Sequence, residues 1–188
     1  MNISLYEDLK TASTNRICAK QRAEFLKQLG IRKVLELCVG PSLKILQQEY
    51  DKQNIECWGN DIDKRWKNYY QNSNWFIDDA FNVVKEQYRN FDAIVFAPPL
   101  SKGCSGKRND SLSIFEVKPN YLDFIKLIES LSYHGIIILT LPGKTWSNRK
   151  EKTEYYKLLS YLYGKFEFEP LELFDGCRKY IDLILHKS

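Results

Sequence analysis

A recurrence constrains this chain more than any other feature. Short apolar runs of strand-like composition stop at glycine or proline, and stretches with helical spacing separate them. "RKVLELCV" (32–39) halts at Gly40-Pro41, "FDAIVFA" (91–97) at Pro98-Pro99, and "GIIILTLPG" (135–143) ends in Pro142-Gly143. Between the first two lie shorter strand-like runs, "IECWGND" (55–61) and "NWFIDDA" (74–80). Helical patterns cover 42–52, 63–72, 81–90, 119–134 and 148–164, with Ser42 placed to cap the first and Pro119 near the start of the fourth. Strands alternating with helices predict a doubly wound, mostly parallel sheet with helices on both faces. The last two runs, 166–174 and 179–187, are joined by the turn signal Asp175-Gly176. They form a C-terminal antiparallel hairpin, which brings the α/β sheet to about seven strands. Ahead of it, Leu5, Leu9, Ala12, Ile17, Ala19, Ala23, Phe25, Leu26 and Leu29 keep helical spacing up to a stop at Gly30, so one helix or two short ones are expected.

A chain of 188 residues suits one domain, here a helical segment over 1–30 and a Rossmann-like core over 31–188. Aromatic residues at 14% argue against disorder. No apolar run approaches the roughly 20 residues of a membrane span, so no membrane partner is expected. "MNISLYEDLKTASTNR" lacks the apolar stretch of a secretory signal. The five cysteines are scattered without a CxxC pair, which favours reduced thiols in a cytoplasmic protein and no metal site. With two histidines, His134 and His186, His-based metal catalysis has little to work with. The net charge of +4 is compatible with a nucleic-acid partner and equally with an ordinary solvated surface.

Ligands of open α/β sheets bind outside the carboxyl ends of the strands, so those ends hold the candidate site. The first ends in "ELCVGPS", where Gly40 allows a tight turn, Pro41 stiffens it and Ser42 opens a helix. The second ends in "WGNDID". Asp61 lies 21 residues after Gly40, the spacing at which a carboxylate accepts hydrogen bonds from both ribose hydroxyls of a nucleotide-like cofactor. The bland alternative makes Asp61 or Asp63 a helix cap. The third ends in "FIDDA", with Asp78 and Asp79, and the fourth in "APP". Only one of the three glycines of a dinucleotide fingerprint is present, so a cofactor without a pyrophosphate fits better than a nicotinamide dinucleotide.

From about residue 30 onward the chain resembles the class I S-adenosylmethionine-dependent methyltransferases. "VLELCVGPS", "CWGNDID", "WFIDDAF", "FDAIVFAPPL" and the terminal hairpin carry the resemblance. It implies S-adenosylmethionine as cofactor, with Glu36 and Gly40 as the first motif and Cys38, Gly40 and Ser42 along the methionine part. Asp61 would hold the ribose hydroxyls and Ile62 would pack on adenine. Asp79, with Ala80 and Phe81, matches the position that contacts the adenine amine.

The fourth motif bears on substrate. In family members that methylate exocyclic amines of nucleobases it reads Asn/Asp/Ser-Pro-Pro-aromatic, and here it is Ala97-Pro98-Pro99-Leu100. The double proline keeps the backbone extended and removes competing N–H donors. The polar acceptor and the aromatic platform are replaced. The resemblance therefore implies methylation of a nucleic-acid base, in DNA or RNA, at an exocyclic amine. The alternatives are a catalytically silent binding module on the same fold, or a methyltransferase for a protein or small molecule. The loop over 99–118 is basic and pliable, and Lys102, Lys107 and Arg108 there are candidate substrate contacts. So are Lys144 and Trp146, an aromatic among cations. Cys104 has no Pro-Cys pair and no nameable base, which argues against a nucleophile there. A chain with no separate target-recognition domain would need those loops, a homodimer or a specificity partner to choose its target.

Overall fold

The computed structural model describes residues 16–71, 73–97, 120–142, 149–174 and 179–187. In chain order these form α1 (Arg16–Gln28), β1 (Lys33–Leu37), α2 (Leu43–Asp51), β2 (Glu56–Asp61), β3 (Trp75–Ile77), α3 (Ala80–Gln87) and β4 (Ala93–Phe96). Then follow α4 (Tyr121–Ser130), β5 (Ile136–Pro142), α5 (Arg149–Leu162), β6 (Phe166–Phe174) and β7 (Lys179–Lys187). The seven strands make one sheet in the order β3-β2-β1-β4-β5-β7-β6. β1 to β5 pair in parallel, and β7 runs antiparallel between β5 and β6. The chain reverses its direction of winding between β1 and β4, which is where a doubly wound sheet opens a crevice.

Both faces are covered because the strands are apolar on both sides of the pleat. Leu35 and Leu37, Ile94 and Phe96, and Ile137, Leu139 and Leu141 pack with α3, α4 and α5. The intervening Val34, Ala93, Val95 and Ile138 pack with α1 and α2. One register step would exchange the two sets, so burial of both faces fixes the pairing.

Several local expectations are revised. The helix expected over 63–72 is a 3-10 turn, Lys64–Asn68, capped by Asp63, whose side chain accepts the Arg65 N–H. Trp66 and Tyr70 turn inward and pack with Tyr69 and Trp75, and this aromatic cluster overrides the helical pattern. Ser42 makes no capping hydrogen bond to α2. Its backbone (φ −82°, ψ −15°) is already helical, because a 3-10 turn over Gly40–Ser42 precedes the helix. A capping residue is normally extended. The helix expected over 119–134 spans Tyr121–Ser130 and opens on a capping box, in which Asn120 and Asp123 each accept the other's backbone N–H. In α5, Leu158 and Leu162 are buried while Tyr156 is 63% exposed, and Tyr163, just past its end, is 83% exposed. Leu5, Leu9, Ala12, Pro119 and the turn Asp175-Gly176 lie outside the described residues. No helix among the described residues is long and apolar enough to cross a membrane.

Candidate functional site

The sequence-derived candidates lie at the carboxyl ends of β1, β2 and β3, on the β1 side of that switch point. After Leu37 the backbone enters the left-handed region at Cys38 (φ 61°) and again at Gly40 (φ 49°). Glycine suits that conformation; cysteine is strained in it, and strain of this kind collects at sites where backbone position matters. Three hydrogen bonds hold the turn. The Val39 N–H donates to the Asn60 carbonyl (2.9 Å), the Gly40 N–H to Asp61 Oδ2 (2.8 Å), and the Tyr70 hydroxyl to the Gly40 carbonyl (2.6 Å). A Cβ at Gly40 would meet nothing within 4 Å, so this backbone faces open space.

Asp61 ends β2. Its Oδ1 accepts the Asp63 N–H (2.8 Å) while Oδ2 accepts that of Gly40. Each oxygen keeps a second lone pair. Burial pushes the carboxyl above its ordinary range, and the two backbone N–H groups pull the other way. Helix capping falls to Asp63, which leaves Asp61 beside the crevice. Ile62 follows at 67% exposure, a large apolar side chain in water at the crevice rim. Asp79 caps α3 by accepting the Phe81 N–H on Oδ1 (2.9 Å), and Ala80 is the first residue of that helix. Cys38 lies close enough to both carboxylates to feel them. Burial, reinforced by Asp61 and Asp79, pushes its thiol up to about 12. The sequence-derived residues Cys38, Gly40, Asp61 and Asp79 thus lie near one another where β1, β2 and β3 end, with Ile62 next to Asp61.

Glu36 and Ser42 are placed differently. Ser42 is buried at 1% exposure. Glu36 points to the α1 and α2 side of the sheet, where Arg22 Nη1 donates to its Oε1 (3.1 Å) and Oε2 (3.3 Å), and the Tyr50 hydroxyl donates to Oε1 (2.5 Å). Strand alternation brings Thr140 and Asp182 to the same face. Arg22 Nη2 reaches Asp182 Oδ1 and Thr140 Oγ1 (both 2.9 Å), its Nε donates to Asp182 Oδ2, and Thr140 Oγ1 donates to Asp182 Oδ1 (2.8 Å). Burial pushes the Glu36 carboxyl up. It also opposes the charge on Arg22, but Asp182 and Glu36 outweigh that and hold the guanidinium protonated. This network joins α1, β1, α2, β5 and β7, and it anchors β1 just before the strained turn. Nothing in the sequence singled out Arg22 or Asp182, because their partners lie far away along the chain.

Ala97 follows β4 and is partly buried. Pro98, Pro99, Leu100, Lys102, Cys104, Lys107, Arg108, Lys144 and Trp146 lie outside the described residues.

No protein-family model matches the sequence, and no curated protein matches it. Solved structures do. An O-methyltransferase from Bacillus cereus, in complex with S-adenosylhomocysteine, is 10% identical over 100% of this chain and 92% of its own, with a TM-score of 0.59. The methyltransferase domain of bacterial CtHen1-C is 16% identical over 93% of this chain and 99% of its own, at 0.58. A Burkholderia thailandensis 1,6-didemethyltoxoflavin-N1-methyltransferase, with bound 1,6-didemethyltoxoflavin and S-adenosylhomocysteine, is 14% identical over 92% of this chain and 79% of its own, at 0.56. The seven-stranded sheet with its antiparallel C-terminal strands is that of the class I methyltransferases.

Proposed function

We propose that the chain is an S-adenosylmethionine-dependent methyltransferase. One observation carries this reading. At the carboxyl end of β2, the Asp61 carboxylate is pinned by the Gly40 and Asp63 N–H groups, and an exposed Ile62 stands next to it. A ribose diol supplies two donors to the carboxylate's remaining lone pairs, and an adenine ring covers Ile62. Asp79 and Ala80 border the base, and the Cys38–Gly40 turn and the backbone at Ser42 run beside the methionine part. Glu36 acts at one remove, by holding β1 through Arg22. When bound, the cofactor supplies an electrophilic methyl group on a sulfonium. Asp61 and Asp79, both carboxylates, also suit that cationic ligand.

The substrate we propose is a nucleic-acid base. The double proline after Ala97 and the basic loops support it, with Lys102, Lys107, Arg108, Lys144 and Trp146 as phosphate and stacking contacts. A homodimer or a specificity partner supplies further target choice. Ala97 favours a second reading, a cofactor-binding module without transfer, because its methyl group accepts no hydrogen bond from an amine. Calorimetry tests the cofactor: wild type should bind S-adenosylmethionine, and Asp61→Ala should bind it at least about 100-fold more weakly, two hydrogen bonds to a charged group being lost. Absence of wild-type binding would sink the assignment. Incubation with methyl-labelled cofactor and separate DNA, RNA and protein pools then decides the rest. Label in nucleic acid is expected; label in protein alone refutes the substrate, and no label leaves the binding module.

A further inference from the structure

Tyr70 carries a hydroxyl into an aromatic cluster. It follows the 3-10 turn Lys64–Asn68 and is fully buried, with the rings of Trp66, Tyr69 and Trp75 centred 5.9, 4.9 and 5.3 Å from its own. A phenylalanine would fill the same place and leave no hydroxyl to satisfy. This hydroxyl reaches 30 residues back along the chain and donates to the Gly40 carbonyl (2.6 Å). Burial pushes its proton affinity up, against the pull of the Leu43 N–H at the start of α2, so the group remains a donor at neutral pH.

The peptide unit it holds is hard to hold otherwise. The nitrogen of the Gly40–Pro41 unit belongs to proline and carries no N–H, so the carbonyl is its one polar handle. Gly40 stands at φ 49°, and glycine passes between positive and negative φ at little cost. A Cβ there would meet nothing within 4 Å, so close packing does not restrain the residue either. The unit on the other side of Gly40 is tied by its N–H to Asp61 Oδ2 (2.8 Å). Both units that flank this glycine are thus tethered to one short segment, by Asp61 before the 3-10 turn and by Tyr70 after it. Tyr70 is sealed from solvent, so it acts on a ligand only through the turn.

We propose that Tyr70 is a positioning residue for the cofactor's amino-acid arm: its hydroxyl selects one orientation of the Gly40–Pro41 peptide unit and so fixes the turn along which that arm lies. The inference rests on the cofactor reading above, in which the Cys38–Gly40 turn runs beside the methionine part. It divides the two tethers of Gly40 by role. Asp61 meets the ribose directly, whereas Tyr70 serves the other end of the ligand from behind the backbone. The effect of losing the hydroxyl must therefore depend on whether the ligand has an arm.

The test compares S-adenosylhomocysteine with 5′-methylthioadenosine, which keeps the adenosine and the sulfur but lacks the amino-acid arm, by calorimetry on the full chain. Wild type should bind S-adenosylhomocysteine about tenfold or more tightly, the arm's hydrogen bonds being the difference. Tyr70→Phe, which keeps the ring in its cluster, should weaken S-adenosylhomocysteine about fivefold, the loss of one hydrogen bond, and change 5′-methylthioadenosine by less than about twofold. If Tyr70 only packs, the variant changes neither ligand or weakens both alike, and the unchanged ratio overturns the proposal. A wild-type ratio near one overturns it without any variant, even if Tyr70→Phe does not fold. Failure of wild type to bind either ligand would instead remove the cofactor reading, and this inference with it.

Discussion

Cys38 shows how far one residue's chemistry is set by its neighbours. A cysteine in a left-handed turn at the mouth of a crevice invites a catalytic interpretation. Burial and the nearby Asp61 and Asp79 carboxylates instead push its thiol up to about 12. At pH 8 only roughly one molecule in ten thousand then carries the reactive thiolate. Cys38 should accordingly resist iodoacetamide at pH 8 in the folded protein, as read by mass spectrometry of its peptide; rapid alkylation there would contradict the geometry. The sign for stability follows. A thiol whose proton is held more tightly in the folded state stabilises below its ordinary value of 9.0, and that contribution is lost as pH rises toward about 12. Burial likewise pushes the Asp61 carboxyl up, against the pull of the Asp63 and Gly40 N–H groups and of Arg65, yet its use is the opposite: it must be ionised to accept a diol.

At the scale of elements, the decisive contact is the one between α1 and the sheet. Among the described residues Arg22 is the cation that pairs with both the Glu36 and Asp182 carboxylates, and all three are at most 2% exposed. Replacing Arg22 by Met fills the volume but leaves two carboxylates buried without their counter-charge. The expected loss is about 3–5 kcal/mol, which corresponds to a fall in Tm of roughly 10 °C for a domain of this size. Scanning calorimetry on Arg22→Met measures it, and a fall under a few degrees would mean that the network contributes little. The packing of α2 on β2 is the second such contact. A Cβ at Gly59 would run into Leu43 Cδ1, so Gly59→Ala forces the first residue of α2 to shift. About 1–3 kcal/mol of destabilisation is expected from such overpacking, measurable by urea denaturation.

At the scale of the molecule, the crevice joins turns that are separate in sequence, so a ligand bound there ties the ends of β1, β2 and β3 to one another. Ligand that binds only the folded state stabilises it by mass action, by about 2.7 kcal/mol at a hundredfold excess over Kd. S-adenosylhomocysteine at that excess should raise the Tm of wild type by roughly 5–10 °C and leave that of Asp61→Ala almost unmoved. An equal shift in both proteins would place the ligand elsewhere.

Much of this was legible in the sequence because it depends on local period and composition. The strands at 166–174 and 179–187, the alternation of strands with helices, and the antiparallel end follow from side-chain pattern alone. So does the gathering of Gly40, Asp61 and Asp79, since in a parallel sheet all strand ends of one sense share an edge. Tertiary structure decided what depends on contacts distant along the chain. It paired Glu36 with Arg22 and Tyr50 and assigned the cap to Asp63 rather than Asp61. It also left Asn60 Oδ1 buried without a hydrogen-bond partner among the described residues. Each is a question of which polar partner lies within about 3 Å, and a linear pattern carries no such distance.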